Sequence, residues 1–185
     1  RDAVHRLGFW HWEVRVLVEG GELPVGGFEA LLRGRLSAAR HLRVFPFLIH
    51  LTGELVGDGV GGLADEAEVH AALARELASD GFRLPSGDEW EWAARGGEPG
   101  LFRWGDGWPP ATPNSSSCPF EQHRLPNGFG LRLPFDTFGV ECVADPAYFV
   151  GGDGGDSLQG ERPPLECWIP LASAFRFPAA AAGEA

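Results

Sequence analysis

The sequence predicts a loop-rich α+β fold, and three observations support this class. Glycine and proline account for 27 and 15 of the 185 residues, almost twice their average usage, which indicates many turns. Thirteen Phe and seven Trp residues are large apolar anchors of a kind that disordered chains lack. Between the turns, apolar residues recur at both helical and strand periodicity. A chain of this length buries roughly 70% of its unfolded surface, so a single domain needs no cross-link to hold a core.

The charge balance narrows the class of partner. The chain carries 26 acidic residues and 15 arginines, has no lysine, and has a net charge of −11. A field this acidic repels phosphate backbones and argues against nucleic-acid binding. No apolar run approaches the roughly 18 residues of a membrane helix. The absence of a charged-then-apolar leader and the three widely spaced cysteines favour a reduced, cytoplasmic setting.

The N-terminal quarter is predicted to contribute a strand, a helix and a second strand. Residues 8–18 alternate, with Trp10 and Trp12 on one face, which favours a strand. The apolar run at residues 44–51 predicts a buried strand. Between them, residues 27–42 carry apolar side chains at helical spacing, namely Phe28, Leu31, Leu32 and Leu36.

Two further helices are predicted in the middle of the chain. Residues 64–79 begin with an acidic turn and are followed by Gly81, a typical helix stop. The apolar side of this helix is formed by Val69, Leu73 and Leu77. A second helix is expected to begin at Ser86, because Ser86 and Glu89 have the S-x-x-E spacing of a capping box. Trp90 lies on the apolar side of that helix.

Several short motifs carry no function on their own. The glycine-rich segment at residues 57–62 precedes a predicted helix, but the acidic residues around it would repel a phosphate, so a loop is predicted. Ser157 resembles a nucleophile elbow, with one residue too many before the second glycine. The six histidines include no pair at metal-ligand spacing. His70 is expected to be a solvated residue on the outer side of its helix.

Residues 82–97 are a more specific signal than these short motifs, because they combine a strand end, a capped helix and a glycine stop. They read FRLPSGDEWEWAARGG, and a second dense patch, LFRWGD, follows at residues 101–106. These segments resemble the signatures R-L-P-[ST]-x-x-E-W-E-x-A-A-R-G-G and W-G-D of the formylglycine-generating enzyme family, also called the sulfatase-modifying-factor family. The matching residues singled out here are Arg83, Ser86, Glu89, Trp90, Glu91, Arg95, Trp104 and Asp106.

The resemblance extends more weakly toward the C-terminus. Residues 127–131 look like the family's N-x-F-G-L. Residues 141–145 resemble the end of its G-N-V-W-E-W-V-x-D, with Cys142 where the second Trp usually stands. Residues 173–176 resemble its S-A-Y-R and end on Arg176.

The resemblance implies an irregular C-type-lectin-like fold with short twisted strands, two or three helices and long loops. Within it we expect Ser86 to cap its helix and Trp90 to be buried. Arg83, Glu91 and Arg95 are expected to form buried or partly buried ion pairs, since buried charges need partners. The expected divisions are an N-terminal extension packed on the domain, a sulfatase-modifying-factor-like domain and a flexible tail, at residues 1–43, 44–178 and 179–185.

The family's catalytic cysteines have no counterpart in this chain. The resemblance implies oxidation of a substrate cysteine to formylglycine by two cysteines that bind copper, since Cu(I) favours soft thiolates. If residues 173–176 match S-A-Y-R, the cysteine positions fall on Leu171 and Glu166. Cys167 misses the second position by one residue and is the catalytic candidate. If residues 174–176 instead match the family's closing G-F-R, most of the cysteine-bearing strand is deleted; the thiol pair is missing under either match.

Other metal chemistry of the superfamily is also incomplete. The iron-binding pattern His-x3-His-x-Glu does not occur in the sequence. Asn127, Glu141 and Asp145 remain as oxygen ligands of a calcium site and are too few to build one. No cofactor is therefore expected, with calcium or copper as the alternatives.

Two hypotheses of different classes follow. In the first, the chain is a non-catalytic scaffold whose loops bind an unknown small ligand or protein, with no nucleic acid and no membrane involved. In the second, it is an oxidoreductase of the formylglycine-generating type, dependent on copper or iron, that uses Cys167. Cys142 is expected to pack as a small buried hydrophobe.

Overall fold

The chain divides into a compact unit at Arg1–Arg40 and a second at His41–Ala185. The computed structural model describes residues 27–52, 66–107, 109, 121–133, 137–158 and 164–179. The strand predicted at residues 8–18, the glycine-rich segment 57–62 and the predicted tail beyond residue 179 lie outside the described residues.

The described residues form a mixed α+β fold with few helices, a small sheet and long loops, which confirms the predicted class. The helices are α1 (Gly27–Arg35), α2 (Glu66–Ser79), α3 (Gly87–Arg95) and α4 (Pro164–Trp168). The strands are β1 (Glu141–Cys142), β2 (Tyr148–Val150) and β3 (Phe177–Pro178). The sheet is antiparallel in the order β1-β2-β3, with Cys142 opposite Phe149 and Phe149 opposite Phe177. Short 3-10 turns lie at Gln122–Arg124, Asp156–Leu158 and Ile169–Leu171.

Helix α1 of the first unit is shorter than predicted. The sequence pattern predicts a helix to residue 42, whereas α1 ends at Arg35, and its last backbone bond runs from Leu36 N–H to Leu32 O (2.8 Å). Leu32 is buried, whereas Ala38 and Ala39 are exposed. A further helical turn would therefore bury no apolar side, and tertiary packing supplies most of the stability of a short helix.

The prediction of a buried strand at residues 44–51 is wrong. This segment has no regular secondary structure, Leu48 is fully exposed and Phe45 is 68% exposed. At its C-terminal end, Leu51 O accepts a backbone hydrogen bond from Arg132 N–H (2.7 Å). Apolar composition alone does not distinguish a core strand from a surface segment, and Pro46 removes one backbone donor that a ladder would need.

Helix α2 ends as its sequence predicts. Gly81 has a φ of 81°, and the backbone bonds Phe82 N–H to Leu77 O (2.8 Å) and Gly81 N–H to Ala78 O (3.2 Å) form a Schellman cap. His70 on this helix is partly buried, and its Nε2 donates to Val143 O across 2.7 Å. The prediction of a solvated His70 is therefore wrong, because the imidazole attaches α2 to the residue after β1.

Helix α3 begins and ends on the predicted signals. Ser86 Oγ accepts from Glu89 N–H (3.2 Å) and Glu89 Oε2 accepts from Ser86 N–H (2.8 Å), which confirms the capping box. Gly96 closes the helix in the left-handed conformation, with φ at 60°. Trp90 is 4% exposed, which confirms its predicted burial, and it packs in a core cluster with Ala94, Val143 and Val150.

A second part of the core is aromatic. Phe102 and Trp168 are fully buried. Trp104 stacks on Phe102 with 4.6 Å between ring centroids and meets Trp168 edge-on at 5.8 Å. His123 is also buried and meets the Trp168 ring at 5.1 Å. None of the helices in the described parts of the chain is long and apolar enough to cross a membrane.

Replacing Ser86 with alanine is expected to lower the free energy of unfolding by about 1 kcal/mol, because the Glu89 N–H loses its side-chain acceptor. Urea titration of both proteins measures this change. Ser79→Ala is the matched control, because the Ser79 hydroxyl is exposed and bonds to Glu76 O at the far end of α2. An equal loss in both variants would show that the cap is not the cause.

Replacing Trp90 with alanine is expected to cost about 3–5 kcal/mol, the usual range for a buried large aromatic residue. Trp92→Ala, two positions further along the same helix, is the control, because the Trp92 side chain is 51% exposed and surface substitutions cost much less. Thermal melts of the two variants make the comparison. Similar melting temperatures would contradict the assignment of Trp90 to the core.

Candidate functional site

The pair Arg83 and Glu89 lies at the start of α3. The Arg83 guanidinium donates to both Glu89 carboxylate oxygens at 2.7 Å, and this bidentate contact is the strongest geometry for such a pair. The hydrogen bonds from Arg83, with those from Ser86, lower the pKa of Glu89 to about 2. The Arg83 side chain is nevertheless 64% exposed. The predicted burial is therefore wrong for Arg83, because its position just before the helix leaves its stem in solvent.

Glu91 joins α3 to the residue before β3. Its carboxylate contacts Arg176 at 3.0 Å and Arg95 at 3.5 Å, and Glu91 and Arg176 are mostly buried. Arg176 also donates to Gly87 O (3.2 Å) and lies over the Tyr148 ring at 5.1 Å. The prediction of partly buried ion pairs is confirmed here, and these motif residues stabilise the fold.

The W-G-D segment closes a tight turn. Asp106 Oδ1 accepts from Leu101 N–H (2.8 Å), and Trp104 Nε1 donates to Gly107 O (2.8 Å). Phe102 and Gly105 exchange backbone hydrogen bonds of 3.0 and 3.1 Å across the turn. Trp104 and Asp106 therefore hold this loop in its turn.

The three oxygen ligands considered for calcium are occupied by protein contacts. Asn127 donates to the carbonyls of Ala93 and Ala94 and accepts from two backbone N–H groups of its own loop. Asp145 accepts from the N–H of Ala147 (2.9 Å), and Glu141 accepts from Trp90. Among the described residues, no group of three His, Cys, Asp or Glu side chains could hold a metal ion.

The two described cysteines are separate thiols. Cys167, on α4, is 2% exposed, and its Sγ donates to Ser157 O at 3.3 Å. Cys142 on β1 is half-buried, so the prediction of a buried hydrophobe is wrong, because the two-residue strand leaves its outer side accessible. Burial and the nearby carboxylates of Glu141 and Glu66 raise the pKa of Cys142. A raised pKa disfavours the thiolate that nucleophilic or copper chemistry requires.

A buried polar cluster lies beside Trp90. The Trp90 indole Nε1 donates to the Glu141 carboxylate across 2.6 Å. Burial lowers the pKa of Arg103 to about 10 and raises the pKa of Glu141. Arg103 also donates to His123 O. Trp90, Arg103 and Ser173 line a cavity of about 10 Å³, space for about one water molecule. The cluster is too small to admit an organic ligand.

The larger feature consists of two groups of rings, here together called the aromatic surface: Phe47, Trp92 and Phe129 form one group, and His50 and Phe82 form the other. All of these residues are exposed except Phe47, which is half-buried. The Trp92 ring lies 6.0 Å from Phe47 and 4.9 Å from Phe129, centroid to centroid. His50 and Phe82 meet edge-on at 4.7 Å. Trp92 and Phe129 are 51% and 43% exposed.

Sequence reasoning missed this surface, although one signal indicated it. Trp90 and Trp92 are two residues apart, and positions two apart on a helix point to nearly opposite sides. With Trp90 in the core, Trp92 had to face outward. Phe47 and His50 come from the run at residues 44–51, which the sequence pattern assigned to the core.

Comparison of the chain with protein-family models, with curated proteins and with solved structures finds no match. The chemistry of the described residues therefore carries the functional interpretation. Of the predicted residues, those of the α3 motif come together as a structural frame, while Cys167 belongs to no group of three or more His, Cys, Asp or Glu side chains in the described residues that could hold a metal ion.

Glu89→Gln and Glu141→Gln are expected to change stability with opposite dependence on pH. Because the pKa of Glu89 is lowered, its ionisation stabilises the folded state at pH values above the unfolded-state pKa of about 4.3. This stabilisation disappears as the pH falls toward 2. The raised pKa of Glu141 means that its ionisation opposes folding as the pH rises above about 4.3. Glu89→Gln should therefore be less stable than wild type at neutral pH, and this difference should disappear in acid. Glu141→Gln should become more stable relative to wild type as the pH rises toward neutral.

Urea unfolding at a series of pH values from acid to neutral measures both differences. Glu98→Gln, at an exposed glutamate, is the control for the change in net charge. Parallel pH profiles for the Glu89 and Glu141 variants would contradict the two assigned environments.

Proposed function

We propose that residues 44–178 form a sulfatase-modifying-factor-like domain of the C-type-lectin-like type, which acts as a non-catalytic binding scaffold. The observation that carries this proposal is the aromatic surface, in which Trp92 contacts both Phe47 and Phe129 while remaining half exposed. Contiguous exposed apolar patches mark interaction sites. The bound molecule is a protein segment or a small ligand, and the net charge of −11 disfavours nucleic acid.

The roles of the motif residues support the family assignment. The capping box fixes the start of α3, the Glu91 ion pair joins α3 to Arg176, and the W-G-D segment closes its own turn. Such residues preserve a scaffold whatever its loops bind, and a fold alone does not define an activity. A small antiparallel sheet with long loops agrees with the irregular architecture that the resemblance implies.

The rigidity of its base makes the aromatic surface suitable for binding. Trp92 extends from a helix that is capped at both ends and anchored by Trp90 in the core. Phe129 lies in the turn that Asn127 fixes with four hydrogen bonds. Rings held in this way lose little conformational entropy when a partner covers them, and exposed Trp residues are frequent binding hot spots.

The chain is expected to produce no formylglycine when incubated with copper and a Cys-x-Pro-x-Arg peptide. The physical reason is that the positions matching the family's two copper-binding cysteines are Leu171 and Glu166, whereas Cu(I) favours soft thiolates. Mass spectrometry of the peptide measures the outcome, and Cys167→Ala is the control. A formylglycine mass with wild type that disappears with Cys167→Ala would replace the binding proposal with the oxidoreductase hypothesis.

Selection of short random peptides on the immobilised chain tests the binding proposal. Peptides enriched on wild type are expected to lose most of their binding to Trp92→Ala and Phe129→Ala, because each variant removes a ring from the surface. Leu125→Ala is the matched control, an exposed apolar residue outside the aromatic surface. Equal recovery of peptides on wild type and on the two ring variants would overturn the proposal, provided that thermal melts show all variants folded.

A further inference from the structure

We infer that the aromatic surface receives an acidic protein segment with apolar side chains at its centre, lying along residues 44–51. This inference rests on the proposed function and adds the chemistry of the partner. It follows from the exposure of this segment, from its lack of a strand neighbour, and from the charges at its two ends.

Residues 44–51 present an unusually apolar and accessible line. Phe45, Leu48, Ile49 and Leu51 are all exposed, and the segment lies in neither a helix nor a strand. At its centre, Phe47 contacts Trp92 of α3. An extended partner laid on this line would cover these side chains and the neighbouring aromatic rings together.

An exposed arginine stands at each end of this line. Arg43 precedes it and lies over the Phe45 ring at 5.1 Å. Arg132 is held at the other end by the bond from its N–H to Leu51 O. Residues 41–52 contain Arg43 and no acidic residue, in a chain whose net charge is −11. Carboxylates at the two ends of a partner segment complement this local charge.

Two acidic residues on the α3 side determine where the acidic residues of the partner segment can lie. Asp88 is one helical turn before Trp92, and Glu98 follows the helix. The acidic residues of the partner therefore belong over Arg43 and Arg132, and its apolar residues over the rings. A second copy of this chain would bring the same arginines together, and the large negative charge of the remainder would oppose association.

The test extends the selection of random peptides to their charge. Peptides enriched on wild type are expected to combine Asp or Glu with Phe, Leu or Trp, and to bind less tightly as salt is added. The charge-reversed variant Arg43→Glu/Arg132→Glu is expected to bind them about tenfold less tightly, which corresponds to about 1.4 kcal/mol. Arg75→Glu is the control, because Arg75 is exposed on α2 and bonds within its own helix.

Each alternative outcome has a distinct meaning. Enriched peptides that are neutral or basic, yet depend on Trp92, would overturn the acidic partner and leave the binding scaffold in place. Loss of all discrimination between wild type and Trp92→Ala would overturn both proposals. A wild-type dimer in sedimentation that Trp92→Ala dissociates would identify a second copy as the occupant. Binding to phosphatidylserine vesicles, lost in the charge-reversed variant, would identify a membrane surface and overturn the acidic partner.

Discussion

The hydrogen bond from the Trp90 indole to the Glu141 carboxylate joins helix α3 to the small sheet. A carboxylate is costly to bury unless donors and a nearby positive charge compensate for lost water. Trp90 supplies the donor and Arg103 the charge. Because the indole is fixed in this way, its ring packs on Val143 and Val150, and the orientation of α3 about its own axis is set. The outward direction of Trp92 follows from that orientation.

Close backbone approach completes the attachment of α3. A Cβ atom on Gly128 would lie 2.2 Å from Gly96 O, and one on Gly96 would lie 2.6 Å from Gly128 N. The end of the helix therefore meets the 127–131 loop at a distance that only glycine allows. Asn127 uses this proximity to donate to the last carbonyls of the helix. Phe129 is consequently held at a fixed distance from Trp92.

Local signals in the sequence predicted the local structure well. The Ser86 capping box and the Gly81 and Gly96 stops depend on residues within a few positions of one another, so short patterns specify them. The limits of α1 and the location of residues 44–51 depend on what lies against them in space. Hydrophobicity indicates a preference for burial but not which apolar segments form the core, and the fully buried rings of Phe102 and Trp168 come from other segments. The contact of His70 with Val143 and that of Trp90 with Glu141 join distant parts of the chain, beyond the reach of periodicity.

Trp90 and Trp92 lie on opposite sides of α3: Trp90 packs in the core, and Trp92 is exposed. Residues on the inner side are constrained by close packing, where a change of even one methylene group is felt. Residues on the outer side touch few neighbours, so their replacement changes stability little. Under the proposed binding function, partner specificity can diverge in a lineage by exchange of Trp92, Phe129 and the exposed 44–51 side chains, while the inner side keeps the fold intact. The helix thus separates the evolution of recognition from the evolution of stability.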